Sequence, residues 1–268
     1  MLTFYIQIKN MPTALITGAS KGIGKAIAEK LAAKKTDLLL IARTENLLKE
    51  LAENLRSKYA VQVDYFVVDL SKPDAVEKIM QWCANKTSEI NILVNNAGYG
   101  LSGAFAKYSI QEQIDMMQVN MRVPVQLIHA LLPSLHKQDQ SYIVNIASNA
   151  AYQSVPGLSL YAASKAFVLS FSRGLRYELR NSAVSVTAIC PGATDTDFPK
   201  RAMVSAKAAK AAAKVNMSAD AVATIAVEAM FSKKAEVIAG FINKLSAFLV
   251  WLLPKKAAEK IAADIYGL

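Results

Sequence analysis

Short apolar runs alternate with longer segments of helical period along most of this chain, and that alternation constrains the fold more than any other feature. Several of the runs are apolar throughout rather than at every second position. Such strands are buried on both faces, as in a parallel sheet with helices on each side. We predict seven strands, the last of them weaker: 13–17, 37–42, 61–68, 90–95, 142–147, 184–189 and 236–239.

Helical segments fill the intervals between these strands, and no Pro/Gly/Ser-rich linker or internal repeat interrupts the series. The predicted helices are 23–35, 45–58, 74–86, 109–137 with a possible break, and 160–180. Strand–helix alternation of this kind predicts one doubly wound α/β domain built on a parallel sheet of about seven strands. We expect that domain to span 11–240, with 1–10 as an N-terminal extension and 241–268 as a C-terminal helical extension.

Charge and metal-ligand content exclude several functions. The net charge of +10 suits an anionic ligand or nucleic acid, but the basic residues are dispersed without interleaved aromatic residues. We therefore expect no nucleic-acid partner. Two distant cysteines and two histidines make a metal site improbable and favour a reduced, cytoplasmic location. No run reaches the roughly 18–20 apolar residues that a membrane-spanning helix needs.

Glycines at positions 18, 22 and 24 follow the first predicted strand and lead into the first predicted helix. Glycine permits a tight turn and a close approach to the backbone, and the amides of the helix N-terminus face an anion there. A plain strand–helix connection would also explain the glycines. Their position between a buried strand and an amphipathic helix favours the pyrophosphate of a dinucleotide.

The end of the second predicted strand bears on the choice of dinucleotide. That strand ends with Ile41, Ala42 and Arg43, so it lacks the carboxylate that would accept hydrogen bonds from a ribose 2′-OH. Arg43 and Lys21 would lie near the adenosine ribose, and two cations suit a 2′-phosphate. NADP(H) is therefore favoured and NAD(H) is possible, while two solvated surface cations are the alternative interpretation.

Tyr161 and Lys165 are spaced i, i+4 within a predicted helix and share one of its faces. A nearby ammonium group can lower the phenol pKa from about 10, which would make Tyr161 a general acid or base near neutral pH. Tyr5 and Lys9 have the same spacing, so only context separates the two pairs. Ser148, which ends the fifth predicted strand, supplies that context because its hydroxyl can polarise a substrate carbonyl.

From about residue 13 to 239 the chain resembles the short-chain dehydrogenase/reductases of single-domain size. The resemblance rests on five elements in order: T-G-A-S-K-G-I-G at 17–24, N-N-A-G at 95–98, Ser148, Y-x-x-x-K at 161–165 and P-G at 191–192. It implies a Rossmann fold, a nicotinamide cofactor and a homodimer or homotetramer formed through the helices that contain Asn120 and Tyr161.

The resemblance also implies residue roles. Ser148 would orient the carbonyl, Tyr161 would deliver the proton, Lys165 would also hold the nicotinamide ribose, and Asn120 would bend its helix and position a relay water. The remaining residues implied in cofactor binding, from the pyrophosphate through the adenosine to the nicotinamide amide, are Gly18, Ser20, Gly22, Ile23, Gly24, Asp69, Leu70, Asn96, Ala97, Gly98, Pro191, Gly192, Thr194 and Thr196.

Two segments beyond the sixth strand bear on the substrate. Lys207, Lys210 and Lys214 share a helical face in an alanine-rich stretch. That stretch is either a lid whose cations attract an anionic group or, as the better-supported alternative, a helix with a solvated face. The apolar run 241–253 precedes Lys255 and Lys256. It is too short to span a bilayer. It would close the pocket, bury a partner subunit or lie on a membrane surface, and membrane contact at 241–256 is not expected.

The sequence therefore predicts an NADPH-dependent carbonyl reductase or alcohol dehydrogenase, acting on a small ketone or secondary alcohol of apolar or acyl type. NAD-dependent alcohol oxidation is the alternative within the same class. A protein that senses nucleotides or binds a membrane surface without turnover is the alternative outside it.

Overall fold

The computed structural model describes residues 11–87, 89–213 and 215–267. Seven parallel strands form the central sheet in the order β3-β2-β1-β4-β5-β6-β9, and a two-stranded ribbon joins β7 to β8. The strands are β1 (Thr13–Thr17), β2 (Asp37–Ala42), β3 (Val63–Val67), β4 (Ile92–Asn95), β5 (Ser141–Ile146), β6 (Val184–Cys190), β7 (Thr194–Asp195), β8 (Met217–Ser218) and β9 (Glu236–Ile238).

All seven predicted strands of the doubly wound α/β fold are confirmed, and the bounds of β1 and β2 coincide with the prediction. The helices are α1 (Gly22–Ala33), α2 (Glu45–Tyr59), α3 (Ala75–Ala84), α4 (Ile110–Met117), α5 (Val123–Leu135), α6 (Ser159–Glu178), α7 (Phe198–Arg201), α8 (Ala206–Ala213), α9 (Ala219–Phe231), α10 (Phe241–Leu252) and α11 (Lys255–Tyr266). A π-helical turn at Gln118–Arg122 separates α4 from α5, which confirms the predicted break.

Burial on both faces explains why the strands are apolar throughout. In β1, Ala14 and Ile16 pack under α1, α2 and α9, whereas Leu15 packs under α3, α5 and α6 on the opposite side. All three side chains are fully buried. Neither face of the sheet can therefore carry the polar residues that a half-solvated strand would alternate with its core residues.

The strand order places the candidate site. The chain runs outward from β1 to β3, then returns to the other side of β1 at β4. The strand order therefore reverses between the paired strands β1 and β4, and the connections that leave them run in opposite directions. Ligands of open α/β sheets bind at the carboxyl ends of the strands beside such a switch point. The glycine-rich loop leaves β1 at that edge, and 96–98 leave β4 beside it.

The C-terminal part of the chain returns to the same edge. Helices α10 and α11 follow β9, and Ala262 of α11 packs in one cluster with Tyr161. None of the helices in the described ranges is long and apolar enough to cross a membrane. Residues 1–10, with Tyr5 and Lys9, and Lys214 lie outside the described residues.

Candidate active site

The glycine-rich loop after β1 is as tight as its sequence indicates. Gly18 and Gly22 have positive φ values of 66° and 54°, which L side chains rarely adopt. A Cβ atom on Gly24 would lie 2.4 Å from the carbonyl oxygen of Gly18. The loop therefore folds directly against the first turn of α1, and its backbone is open to a ligand at the helix N-terminus.

Asn96 fastens this loop to the neighbouring strand. Its Nδ2 donates to the backbone oxygens of Thr17 and Gly18, at 2.9 and 3.1 Å. In return, the Thr17 hydroxyl oxygen accepts from the backbone amides of Asn96 and Ala97, both at 3.1 Å. The Asn96 side chain thus shapes the loop itself, and its predicted support of the adenosine side is indirect.

The predicted adenosine end of the site carries Arg43 after β2 and Asp69 after β3. Partial burial raises the pKa of Asp69, but hydrogen bonds from Ser71 and the charge of Arg43 outweigh it and leave the pKa below its usual value. Arg201 also reaches this end, where its guanidinium lies 4.3 Å from the centre of the Tyr99 ring. Arg201 belongs to the basic stretch after the sixth strand that we considered as a lid for an anionic group, but its position at the adenosine end was not predicted, because nothing in the chain indicates how that stretch folds back.

Lys21 lies at the cleft, but its ammonium group has a partner that the sequence did not predict. Lys21 Nζ is 2.6 Å from Asp197 Oδ2, and both side chains are more than half exposed. We expected Lys21 beside the adenosine ribose; in the structure it joins the glycine-rich loop to the segment after β6. An exposed pair of this kind contributes little to stability and can exchange partners.

The predicted catalytic side chains converge below this loop. Ser148 follows β5, whereas Tyr161 and Lys165 lie buried on α6. Lys165 Nζ donates to the backbone oxygen of Ile146 at 2.8 Å and lies 5.9 Å from the centre of the Tyr161 ring. A Cβ atom on Gly98 would come within 3.2 Å of Lys165 Nζ, so a glycine here leaves the ammonium group its space.

Burial sets the pKa values of this pair. It raises the pKa of Tyr161 to about 12, against the lowering effect of a hydrogen bond with Ser148. The same burial lowers the pKa of Lys165 to about 8. The expected lowering of the phenol pKa by Lys165 is therefore not found: the lowering contribution comes from Ser148, and desolvation of the phenolate outweighs it.

Asn120 lies in the π-helical turn between α4 and α5, where the sequence predicts a helix bend. Its Nδ2 donates to the backbone oxygen of Tyr99 at 2.9 Å and to the Ser164 hydroxyl at 3.0 Å, while its Oδ1 accepts from the Tyr99 amide at 3.1 Å. These bonds hold the loop after β4 against α6. The relay water assigned to Asn120 stays a prediction.

The predicted nicotinamide end follows β6 at Pro191 and Gly192. The Thr194 hydroxyl donates to the backbone oxygen of Gly192 at 3.1 Å, and the Thr196 hydroxyl accepts from the Phe198 amide at 3.3 Å. Both threonines thus have local bonds in the structure, and their contacts with the nicotinamide amide stay a prediction.

Asn243 of α10 is a residue of this end that sequence reasoning missed. Its Oδ1 lies 2.1 Å from the position that a Cβ atom on Gly192 would take, and its Nδ2 donates to the backbone oxygen of Ala239 at 2.6 Å. A glycine at 192 therefore lets α10 pack against the loop after β6. The sequence offers only a weak signal, because Asn243 is one of three polar residues in a mostly apolar run, with Lys244 and Ser246.

One continuous cleft of about 1380 Å³ joins these parts. Of the residues proposed from the sequence, all but Gly24 and Asn120 line it, and those two brace its walls from behind. Ligand pockets usually measure about 300–1,000 Å³. The cleft is therefore large enough for a dinucleotide together with a second molecule, and its open glycine loop and cationic end fit a dinucleotide chemically.

The other end of the cleft is apolar. Leu245, Leu249 and Leu253 of α10 and its C-cap line it, as do Ile261 and Ile265 of α11. Alanines of α8 also line the wall, whereas Lys207 and Lys210 are exposed. Among the described residues, no group of three or more His, Cys, Asp or Glu side chains is placed to hold a metal ion.

A doubly wound sheet with such a glycine loop and a buried tyrosine–lysine pair defines a nicotinamide-dependent oxidoreductase. Residues 12–207 match the family model for short chain dehydrogenase, and the chain belongs to that family. An uncharacterized oxidoreductase of Staphylococcus saprophyticus is 37 % identical over 183 residues, which cover 68 % of this chain and 78 % of the relative.

Two solved structures show the same fold. A short-chain dehydrogenase from Sphingobium yanoikuyae in complex with NADPH has a TM-score of 0.79 and 30 % identity, covering 91 % of this chain and 97 % of that one. A short chain dehydrogenase/reductase from Burkholderia phymatum in complex with NAD has a TM-score of 0.80 and 25 % identity, covering 90 % and 92 %. A nicotinamide dinucleotide is therefore the cofactor of this class of site, in either form.

Proposed function

We propose that this protein is an NADPH-dependent reductase of apolar ketones or acyl-type carbonyl compounds. The observation that carries the proposal is the position of Tyr161 and Ser148, which line the cleft together with the glycine-rich loop and the apolar wall of α10 and α11. A carbonyl group held between Ser148 and Tyr161 would have its apolar substituents against that wall.

The chain's own groups would perform the proton chemistry. A bound nicotinamide supplies or accepts the hydride. Ser148 donates a hydrogen bond to the carbonyl oxygen, and the Tyr161 phenol transfers its proton to that oxygen as negative charge develops. The phenol, whose pKa burial raises to about 12, carries its proton at neutral pH and can therefore serve as the acid of a carbonyl reduction.

Lys165 would stabilise the phenolate that remains. Its bond to the Ile146 oxygen fixes the ammonium group beside Tyr161. Since its pKa is lowered to about 8, most of Lys165 carries a positive charge at neutral pH. The side chain of Asn120 is hydrogen-bonded to Tyr99 and Ser164. Asn120 would therefore position α6, which carries Tyr161, rather than contact the substrate.

The charges at the adenosine end support NADPH over NADH. Arg43 follows β2 where a carboxylate would be needed for a ribose 2′-OH, and Arg201 adds a second guanidinium whose pKa is lowered by burial and by the charge of Arg43. The lowered pKa shows that the two guanidinium groups repel each other, and a 2′-phosphate bound between them would relieve that repulsion. The contribution of Lys21 is smaller, because Asp197 already neutralises it.

The assembly proposed from the family resemblance also has support. Helix α4 exposes Ile110, Ile114 and Met117, and α6 exposes Phe167. Helix α4 leads into the turn that contains Asn120 and α6 packs against that turn, so they are the surface through which we propose that a homodimer or homotetramer forms. Sedimentation equilibrium of the wild type and of an Ile110→Ser/Ile114→Ser variant tests this, since the variant should shift towards a monomer.

Consumption of NADPH in the presence of a medium-chain methyl ketone tests the proposed reaction. Tyr161→Phe removes only the hydroxyl and should lower kcat by about 10²–10⁴-fold. The control Tyr177→Phe removes an exposed hydroxyl elsewhere on α6 and should keep wild-type turnover. Turnover of Tyr161→Phe within a few fold of the wild type would contradict the assigned role. Binding of NADPH by the wild type, with or without ketone and without any turnover, would favour the nucleotide-sensing alternative.

A further inference from the structure

Helix α10 has two apolar faces, and only one of them belongs to the cleft. The inner face carries Leu245 and Leu249 in the cleft wall. The outer face leaves Phe241 and Trp251 each 78 % exposed, Phe248 55 % and Leu252 64 % exposed. The rings of Phe248 and Trp251 lie 6.0 Å apart, centre to centre, so they form one apolar patch. We call these four side chains the outer face of α10.

The charged side chains of the segment that carries the outer face have one sign. The segment 241–256 contains Lys244, Lys255 and Lys256 and no carboxylate. All three lysines are exposed. The chain as a whole carries a net charge of +10, so the surroundings of the patch attract an anionic partner.

The sequence alone led us not to expect membrane contact at 241–256, but the exposed aromatic patch changes that expectation. We propose that the outer face of α10 docks on the surface of an anionic membrane, with the helix lying in the plane of the interface. A short amphipathic helix with aromatic residues on one side and lysines around it binds at the boundary between headgroups and acyl chains. Tryptophan suits that boundary because its ring is apolar and its N–H is polar. The lysine stems can lie along apolar surface while their ammonium groups reach the phosphates.

A second copy of this chain fits the outer face less well. A two-fold contact buries the same patch of both copies, so it would bring the three lysines of each copy into one interface. The segment offers no carboxylate to pair with them. Lysine is depleted from the cores of protein interfaces, whereas anionic lipid headgroups supply the missing charge.

Docking on a membrane would also bring the substrate entrance of the cleft next to the bilayer. The apolar end of the cleft lies directly beneath the inner face of the same helix. An apolar substrate dissolved in the bilayer would reach Leu245 and Leu249 without crossing bulk water. This consequence rests on the proposed reductase function, but the docking itself does not.

A single tryptophan reports the docking directly. The chain has two tryptophans, and Trp82→Phe leaves Trp251 as the only one. Full-length Trp82→Phe protein is titrated with vesicles of phosphatidylglycerol and phosphatidylcholine, and with vesicles of phosphatidylcholine alone. The emission of Trp251 should shift to shorter wavelength with the anionic vesicles, and co-sedimentation should follow the same titration.

Matched variants distinguish docking through the outer face from non-specific adsorption to vesicles. Phe248→Ser/Trp251→Ser should reduce co-sedimentation with anionic vesicles by about tenfold or more. Phe105→Ser/Tyr177→Ser removes as many exposed aromatic rings elsewhere and should change it by less than about twofold. Lys244→Gln/Lys255→Gln/Lys256→Gln should weaken binding more than Lys49→Gln/Lys137→Gln/Lys233→Gln, which has the same net charge.

The opposite results would overturn the proposal. An unchanged Trp251 spectrum with anionic vesicles would exclude docking through this face. Equal losses in the two lysine variants would reduce the effect to the net charge of the chain. A vesicle-free oligomer that Phe248→Ser/Trp251→Ser converts to a monomer would assign the face to a second copy. None of these assays contains a ketone or NADPH, so a failure of the proposed reaction leaves them interpretable.

Discussion

The two ends of the cleft are built in different ways. The dinucleotide end depends on backbone geometry: left-handed glycines at 18 and 22, and Asn96 bonded to Thr17. The substrate end depends on apolar side chains of α8, α10 and α11, many of them partly exposed. Geometry that only a few residue types can adopt leaves a readable motif in the sequence, whereas an apolar wall can be made from many combinations of side chains.

A change in backbone space should give the largest effect at the dinucleotide end. A Cβ atom in Gly24→Ala would lie 2.4 Å from the Gly18 oxygen and from Asn96 Nδ2, so the loop must move. We expect a lower melting temperature and at least a tenfold loss of NADPH affinity, about the cost of one or two lost hydrogen bonds to a charged group.

Gly174→Ala is the matched control, because nothing lies within 4 Å of its Cβ position on α6. Replacing a glycine in a helix interior should stabilise the protein by about 0.5–1 kcal/mol. Calorimetry and NADPH fluorescence titration measure both variants. Equal melting temperatures and equal NADPH affinities of Gly24→Ala and Gly174→Ala would show that the backbone of the glycine-rich loop does not define the dinucleotide end.

Titration of Lys165 should be visible in the pH profile. The pKa of Lys165 is lowered to about 8, and its positive form stabilises the phenolate of Tyr161, so reduction requires the protonated amine. The kcat/KM for ketone reduction should therefore be level below pH 8 and fall by about tenfold per pH unit above it. A profile that stays level to pH 10, in protein that remains folded by circular dichroism, would exclude this role.

Side-chain changes at the substrate end should have smaller effects that depend on the substrate. Leu249→Ala shortens a side chain in the cleft wall and should lower kcat/KM for a long-chain ketone by about tenfold, while acetone changes by less than about twofold. Leu252→Ala lies on the outer face of the same helix and should leave both values unchanged. An equal loss for both ketones would mean that α10 supports the fold rather than the substrate.

The sequence predicted most of the dinucleotide end for a physical reason. Strands buried on both faces and glycines between a strand and a helix are local patterns, so the seven strands and the loop after β1 were found. Helix α9 was missed because its alanine-rich run is apolar on most sides and shows weak periodicity. The ribbon of β7 and β8 was missed because it consists of two residues in each strand.

Contacts between distant segments could not be predicted. The Lys21–Asp197 pair joins residues 176 positions apart, and Arg201 reaches Tyr99 across the cleft. The raised pKa of Tyr161 reflects burial by α11 as well as by its own helix, which the Tyr–Lys spacing does not encode. The roles of the site residues, the domain bounds and the cytoplasmic location remain predictions.

Fluorescence titration of the wild type and of Arg43→Ala with NADPH and with NADH tests the central claim most directly. The wild type should bind NADPH more tightly than NADH. Arg43→Ala should weaken NADPH binding by about 10–100-fold, because a charge-assisted bond to the 2′-phosphate is lost, while NADH binding changes by less than about twofold. A wild type that prefers NADH, or an Arg43→Ala variant that weakens both dinucleotides equally, would contradict that claim.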